Sequence, residues 1–205
     1  ISKIVQQNRK IQLIFENNVT SECDHLIISD GVFSKSKSLI LKNQTPPKYN
    51  KTLAIRGTIP ISQKINCRNI SLFLGPDFHY VIYPVNQNGD LNFIAIMKYK
   101  LNKLEQNNHS LFNDANFIKR ILDKVPIEMR EFLNQIKKLK IFPVFVSKSF
   151  FKTKNNNIHL IGDAFFAFPP SFAQGASQSI EGSYELFQSI ETVSYTHLTL
   201  PTKSS

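Results

Sequence analysis

The stretch from Ile158 to Glu181 concentrates the residues whose types and spacing could do chemistry. An apolar run ends in Gly162 and Asp163. At neutral pH a carboxylate only accepts hydrogen bonds, so Asp163 at the end of a buried strand suits a ligand that offers hydroxyl groups. Gly162 lets that ligand approach the backbone. Pro169 and Pro170 fix φ twice in succession and hold Phe168 extended, which makes a stiff wall beside the ligand. Beyond the wall Ala176, Ile180, Tyr184, Phe187 and Ile190 recur at helical spacing. A helix therefore starts near Gln174 or Gly175, and its free N–H groups point back at the Pro-Pro turn. Negative charge placed there gains about 0.3–2 kcal/mol.

A second acidic turn, Asp30 to Lys37, follows the short apolar run His25-Leu-Ile-Ile28. His159-Leu-Ile161 before Gly162-Asp163 echoes it, far away in the sequence and with a different kind of structure between. An α/β domain interrupted by an inserted sheet-and-helix domain explains the echo. Both acidic turns then lie at the C-terminal edge of one parallel sheet, where ligands bind. The interruption reads as strands at Thr52–Ile59, Ile70–Leu74, His79–Tyr83 and Leu91–Ile96, separated by turn signals at Gly75-Pro76-Asp77 and from Asn86 to Asp90. That spacing predicts an antiparallel or mixed sheet. Two amphipathic helices follow. Phe117, Ile118, Ile121, Leu122 and Val125 form one stripe; Met129, Phe132, Leu133, Ile136 and Leu139 form the other, after Pro126 at its start. Both stripes read as core packing. Ile141–Val146 returns as a strand, and Lys10–Glu16 reads as an earlier one with a turn at Asn17-Asn18.

The segment from Gly162 resembles the motif G-D-A-x-H-x-x-P-P-x-x-x-Q-G of FAD-dependent aromatic-ring monooxygenases. Gly162, Asp163, Ala164, Pro169, Pro170, Gln174 and Gly175 match, and Phe166 stands where that motif commonly has histidine. The element D-G-x-x-S-x-x-R of the same family is similar to Asp30, Gly31, Ser34 and Lys37, with lysine in place of arginine. A looser similarity joins Ala54–Gly57 and Leu74–Pro84 to the substrate-domain strands of salicylate-hydroxylase-like enzymes.

The resemblance implies a part of a Rossmann-like FAD-binding domain, α/β in class, interrupted by an α+β substrate domain. It divides the chain into 1–45 and 155–192 for the FAD domain and 46–154 for the substrate domain. Residues 193–205 change abruptly in character and read as a non-native tail. The dinucleotide fingerprint G-x-G-x-x-G is missing, as expected of a fragment whose first βαβ unit lies upstream of Ile1. The implied reaction is hydroxylation of a small aromatic substrate with O2 and NADPH or NADH, through a flavin C4a-hydroperoxide. Asp30 and Gly31 would serve the FAD pyrophosphate region. Gly162 and Asp163 would serve the ribityl chain, with Pro170 in the same wall, and Gln174, Gly175, Ala176 and Ser177 the flavin's pyrimidine edge. Pro169 and Phe166 would lie near the reacting centre. Arg56 and Tyr83, ordinary sheet residues when read alone, could contact the substrate. A halogenase or a reductase of the same fold stays open.

Composition excludes other classes. At 205 residues with 41% hydrophobic and 20% charged residues, the chain is globular, not disordered. No apolar run reaches membrane-spanning length, although peripheral membrane contact stays open. The net charge of +10 is scattered, with no cluster denser than Lys137-Lys138-x-Lys140. It reads as a solvated lysine-rich surface, ahead of a basic nucleic-acid-binding module. The five histidines and two cysteines show no metal-ligand spacing, and the cysteine usage fits a reducing cytoplasm.

Overall fold

The computed structural model describes residues 1–7, 10–41, 46–60, 69–85, 90–127, 130, 133, 136–149, 156–170 and 173–198; side chains are described through 192 and not at 137. The chain divides into two compact units, Ile1–Lys48 with Phe145–Ser205, and Tyr49–Val144.

The first unit carries both acidic turns. Its strands β1 (Lys3–Gln7), β2 (Lys10–Ile14) and β3 (Thr20–Cys23) form an antiparallel sheet in that order. Asn18 takes a left-handed φ of 62° in the β2–β3 turn, and Asn17 Oδ1 accepts from the Val19 N–H. Then β4 (Leu26–Ile28) pairs in parallel with β10 (Ile158–Leu160), Leu26 against Ile158 and Ile28 against Leu160. The alternation of a strand sends Ile28 and Ile158 inward, where they join Ile11 and Ala164 in one core. Each such isoleucine stabilises the fold by about 1.5–3 kcal/mol. Ile27 faces the other way and is 48% exposed. Three helices complete the unit: α1 (Lys35–Ile40), the single turn α4 (Gly162–Phe165) and the long α5 (Gly175–Leu198).

The second unit is built on a five-stranded sheet. Its strands β5 (Lys48–Ile59), β6 (Ser71–Leu74), β7 (Phe78–Pro84), β8 (Leu91–Lys98) and β9 (Lys137–Val146) run in the order β6-β7-β8-β5-β9. The β6–β7, β7–β8 and β8–β5 pairs are antiparallel. Leu91, Phe93, Ala95 and Met97 of β8 lie opposite Ile59, Gly57, Ile55 and Leu53 of β5, and the apolar members of both rows are buried. Beside the sheet run α2 (Lys103–Asn107), a 3-10 turn (His109–Asn113) and α3 (Ala115–Leu122). Asn102 and Glu105 close a reciprocal capping box at α2, and Asp114 caps α3. Phe117, Ile121 and Val125 of the first predicted stripe are buried.

Two expectations need correction. The second stripe does not run to Leu139, because Leu139 lies in β9. Lys138 takes a left-handed φ of 54°, which a continuing helix does not tolerate. Pro143 then sits in an edge strand, where its missing donor is tolerated; Met129 and Phe132 of that stripe, and most of the turn from Asn86, lie outside the described residues. Helix α5 runs past residue 192 to Leu198. The propensity deficit of Val and Thr is under about 1 kcal/mol each, too small to end an established helix. Finally, Asp163 stands in the first turn of α4 rather than on a strand tip.

Candidate functional site

The parallel register puts Asp30 two residues beyond Ile28 and Gly162 two residues beyond Leu160, at the same end of adjacent strands. The first turn is shaped by hydrogen bonds. Gly31 takes φ 83°, a conformation that glycine adopts without strain, and its carbonyl accepts from the Ser34 N–H at 3.1 Å. Ser34, buried at 3% exposure, caps α1 by accepting from the Lys37 N–H at 2.9 Å. Asp30 Oδ2 accepts from the Ser36 N–H at 3.0 Å. Partial burial favours the neutral carboxyl of Asp30, but hydrogen bonds from Ser34 and Ser36 outweigh it and hold its pKa below the ordinary carboxylate value. Asp30 thus acts as a second cap on α1.

The second turn depends on close approach. Gly162 takes φ 57°, and a Cβ there would stand 3.2 Å from Ser179 Oγ on α5. Gly175, Ser179 and Ser183 recur every four residues, and Ser179 and Ser183 turn their hydroxyls back onto the carbonyls of Gly175 and Ser179 at 2.7 Å. These small side chains let α5 lie against α4. The first ladder bond of α5 runs from the Gln178 N–H to the Gln174 carbonyl at 2.9 Å, so the N–H groups of Gly175, Ala176 and Ser177 precede the ladder.

The two turns open onto one cleft of about 480 Å3, lined by Ser29, Gly31, Gly162, Asp163, Gly175 and Ser179 among others. Asp163 is exposed there, and Ala176 also lines it. A Cβ added to Gly31 or Gly175 would meet nothing within 4 Å, so open space lies beside both. A second cleft of about 440 Å3 lies along the other side of Gly162 and Gly175, with Phe165, Phe166, Phe168 and Glu181 in its wall. Phe166 and Phe168 meet edge-on, 4.7 Å between centroids. Pro169, Pro170 and Gln174 are exposed, and Ser177 Oγ donates to the Gln174 carbonyl. A larger cleft, about 820 Å3, lies in the second unit among Lys51, Lys98, Lys100 and Lys124, with the Gly75-Pro76-Asp77 turn in its wall, and is lined by neither Arg56 nor Tyr83.

In the second unit Arg56 and Tyr83 share one face of the sheet on neighbouring rows: Arg56 is opposite Ile94, and Thr58, Asn92 and Tyr83 are aligned across three strands. Sequence reading missed Asn92, whose Nδ2 is buried with no hydrogen-bond partner among the described residues. It also missed Ser179, although the four-residue recurrence of Gly175, Ser179 and Ser183 is visible in the sequence. Among the described residues no helix is long and apolar enough to cross a membrane. Among the described residues no group of three or more His, Cys, Asp or Glu is placed to hold a metal either.

In fold the chain is similar to solved hydroxylases. The chain superposes with a TM-score of 0.73 on HpxO of Klebsiella pneumoniae, solved with FAD and uric acid, at 15% identity and covering 88% of this chain and 46% of that one. With 2,6-dihydroxypyridine-3-hydroxylase of Arthrobacter nicotinovorans the TM-score is 0.74 at 17% identity, covering 90% and 53%. In sequence the chain is similar to FAD-dependent monooxygenases. It is 23% identical to a salicylate hydroxylase of Pseudomonas putida over 90% of this chain and 47% of that protein. It is 31% identical to the FAD-dependent monooxygenase pigN of Monascus ruber over 43% of this chain and 22% of that protein. No family model matches the sequence. The chain spans about half the length, or less, of the curated relatives it matches.

Proposed function

We propose that this chain forms part of a flavoprotein monooxygenase that binds FAD at the edge of β4 and β10 and hydroxylates a small aromatic substrate, with NADPH or NADH and O2 as co-substrates. What carries the reading is the single cleft onto which the Asp30-Gly31 and Gly162-Asp163 turns open, with the N-terminus of α5 in its wall. The residues present fit FAD: open space lies beside Gly31 and Gly175, a carboxylate is exposed at Asp163, and N–H groups precede the α5 ladder.

Asp163 accepts hydrogen bonds from ribityl hydroxyls, and Gly162 lines the same cleft beside it. Gln174, Gly175, Ala176 and Ser177 present the positive end of α5 to the pyrimidine edge. Asp30 and Gly31 shape the wall on the pyrophosphate side, Asp30 by capping α1. Pro169, Pro170 and Phe166 exclude water beside the reacting ring. Bound FAD would supply the redox chemistry, taking electrons from the nicotinamide and activating O2. Arg56 and Tyr83 orient the aromatic substrate from the sheet face.

The reading is tested by purifying the Asp163→Ala variant of the complete protein beside its parent. The parent retains FAD and the variant loses it. A variant that keeps stoichiometric yellow colour removes Asp163 from the site.

A further inference from the structure

Lys37 is buried at 4% exposure on α1, yet its ammonium donates at 2.9 Å to the carbonyl of Ala164, on the other acidic turn and 127 residues away. Ala164 is itself fully buried. Its carbonyl belongs to α4, a single turn whose ladder bond runs from the Phe166 N–H to the Gly162 carbonyl. So short a helix leaves its last carbonyls without helical donors, and a buried orphan carbonyl is costly. Burial lowers the Lys37 pKa, with the negative charge of Asp30 pulling the other way. Asp163 is the neighbouring acid on α4. A buried ammonium is retained only where a specific partner compensates it.

We propose that Lys37 is a positioning residue: by clamping the Ala164 carbonyl to α1, it fixes the Gly162-Asp163 turn at the distance from the Asp30-Gly31 turn that a bound flavin requires. Two features single this residue out from ordinary core packing. Its backbone N–H is already held by Ser34, the cap of α1, so backbone and head are both anchored. The head crosses from one motif to the other at the edge where β4 and β10 end. The flavin consequence rests on the function proposed above; the clamp itself does not.

The test uses the full chain with Lys37→Met, which keeps the length of the stem and removes the donor, and Lys37→Arg, which keeps the charge. FAD affinity is read by flavin fluorescence titration, and hydrogen exchange is followed without ligand. Lys37→Met is expected to weaken FAD binding about tenfold or more, the loss corresponding to one buried charged hydrogen bond. It is expected to speed exchange at 162–166 while β1 to β3 keep their protection. Lys37→Arg is expected to hold both readings near the parent's. Parent-like affinity and exchange in Lys37→Met overturn the clamp. So does a uniform loss of protection that includes β1 to β3, which is the mark of a merely structural lysine. If the parent itself does not bind FAD, the flavin reading fails, and the local exchange at 162–166 alone decides whether Lys37 clamps the turn.

Discussion

The two sheets at the hearts of the two units are stabilised in different ways. In the five-stranded sheet, β5 and β8 bury a long double row: Leu53, Ile55, Ile59, Phe93 and Ala95 are all at 0% exposure. The parallel pair of β4 and β10 is only three residues deep, and Ile27 on it is half exposed. Its turns are set by individual groups instead: two glycines at positive φ, the Ser34 cap, the Asp30 acceptor and the Lys37 contact. One region is over-determined by apolar area; the other hangs on a few polar atoms. A binding edge needs the second arrangement, because open backbone and exposed acceptors cannot also be packed away.

Substitutions should separate the two. Phe93→Ala removes a ring from the centre of β8 and is expected to cost about 3–5 kcal/mol, read as a lowered denaturation midpoint. A cost near that of a surface change, below about 0.5 kcal/mol, contradicts the packing described for the sheet. Gly162→Ala puts a side chain at left-handed φ, costing roughly 1–2 kcal/mol, and brings a Cβ to 3.2 Å from Ser179 Oγ. The Ser179→Gly change in that background is expected to recover the contact part of the loss but not the backbone part; full recovery shows that φ carries no strain. Ser34→Ala removes the α1 cap and is expected to cost about 0.5–2 kcal/mol. Equal melting of variant and parent removes Ser34 from the cap.

The smallest effect is in pH. The folded pKa of Asp30 is depressed, so its contribution is fully present above the ordinary carboxylate value of 3.8 and is lost as pH falls through the lower, folded value. Asp30→Asn should therefore lower stability slightly at neutral pH, leave it nearly unchanged below the folded pKa, and so flatten the acid limb of the stability profile. An unchanged acid limb shows that the Ser36 contact does not hold in solution.

The same difference explains what could be read in advance. The acidic turns were legible because few residue types satisfy their demands: glycine at positive φ, a short acceptor as cap, proline where the chain must stiffen. The echo of His25-Leu-Ile-Ile28 in His159-Leu-Ile161 was enough to place both on one parallel sheet, and β4 and β10 pair that way. The strands of the large sheet were legible from alternation, each to within a few residues at its ends. Leu139 was misread because its position fits a helical stripe equally well, and the left-handed backbone at Lys138 leaves no mark on a lysine's identity. The role of Lys37 was also hidden. Its position could be matched to an arginine, but a contact reaching 127 residues along the chain exists only once β4 lies beside β10. Asn92 was invisible for the same reason, since its neighbours Thr58 and Tyr83 are set by the register of the sheet.

The central proposition is that two turns remote in sequence serve one flavin. Hydrogen exchange of the full chain with and without FAD reads it directly. Addition of FAD should slow exchange together at 29–36 and at 161–179. Protection in one of these segments without the other, or in neither, contradicts a shared site.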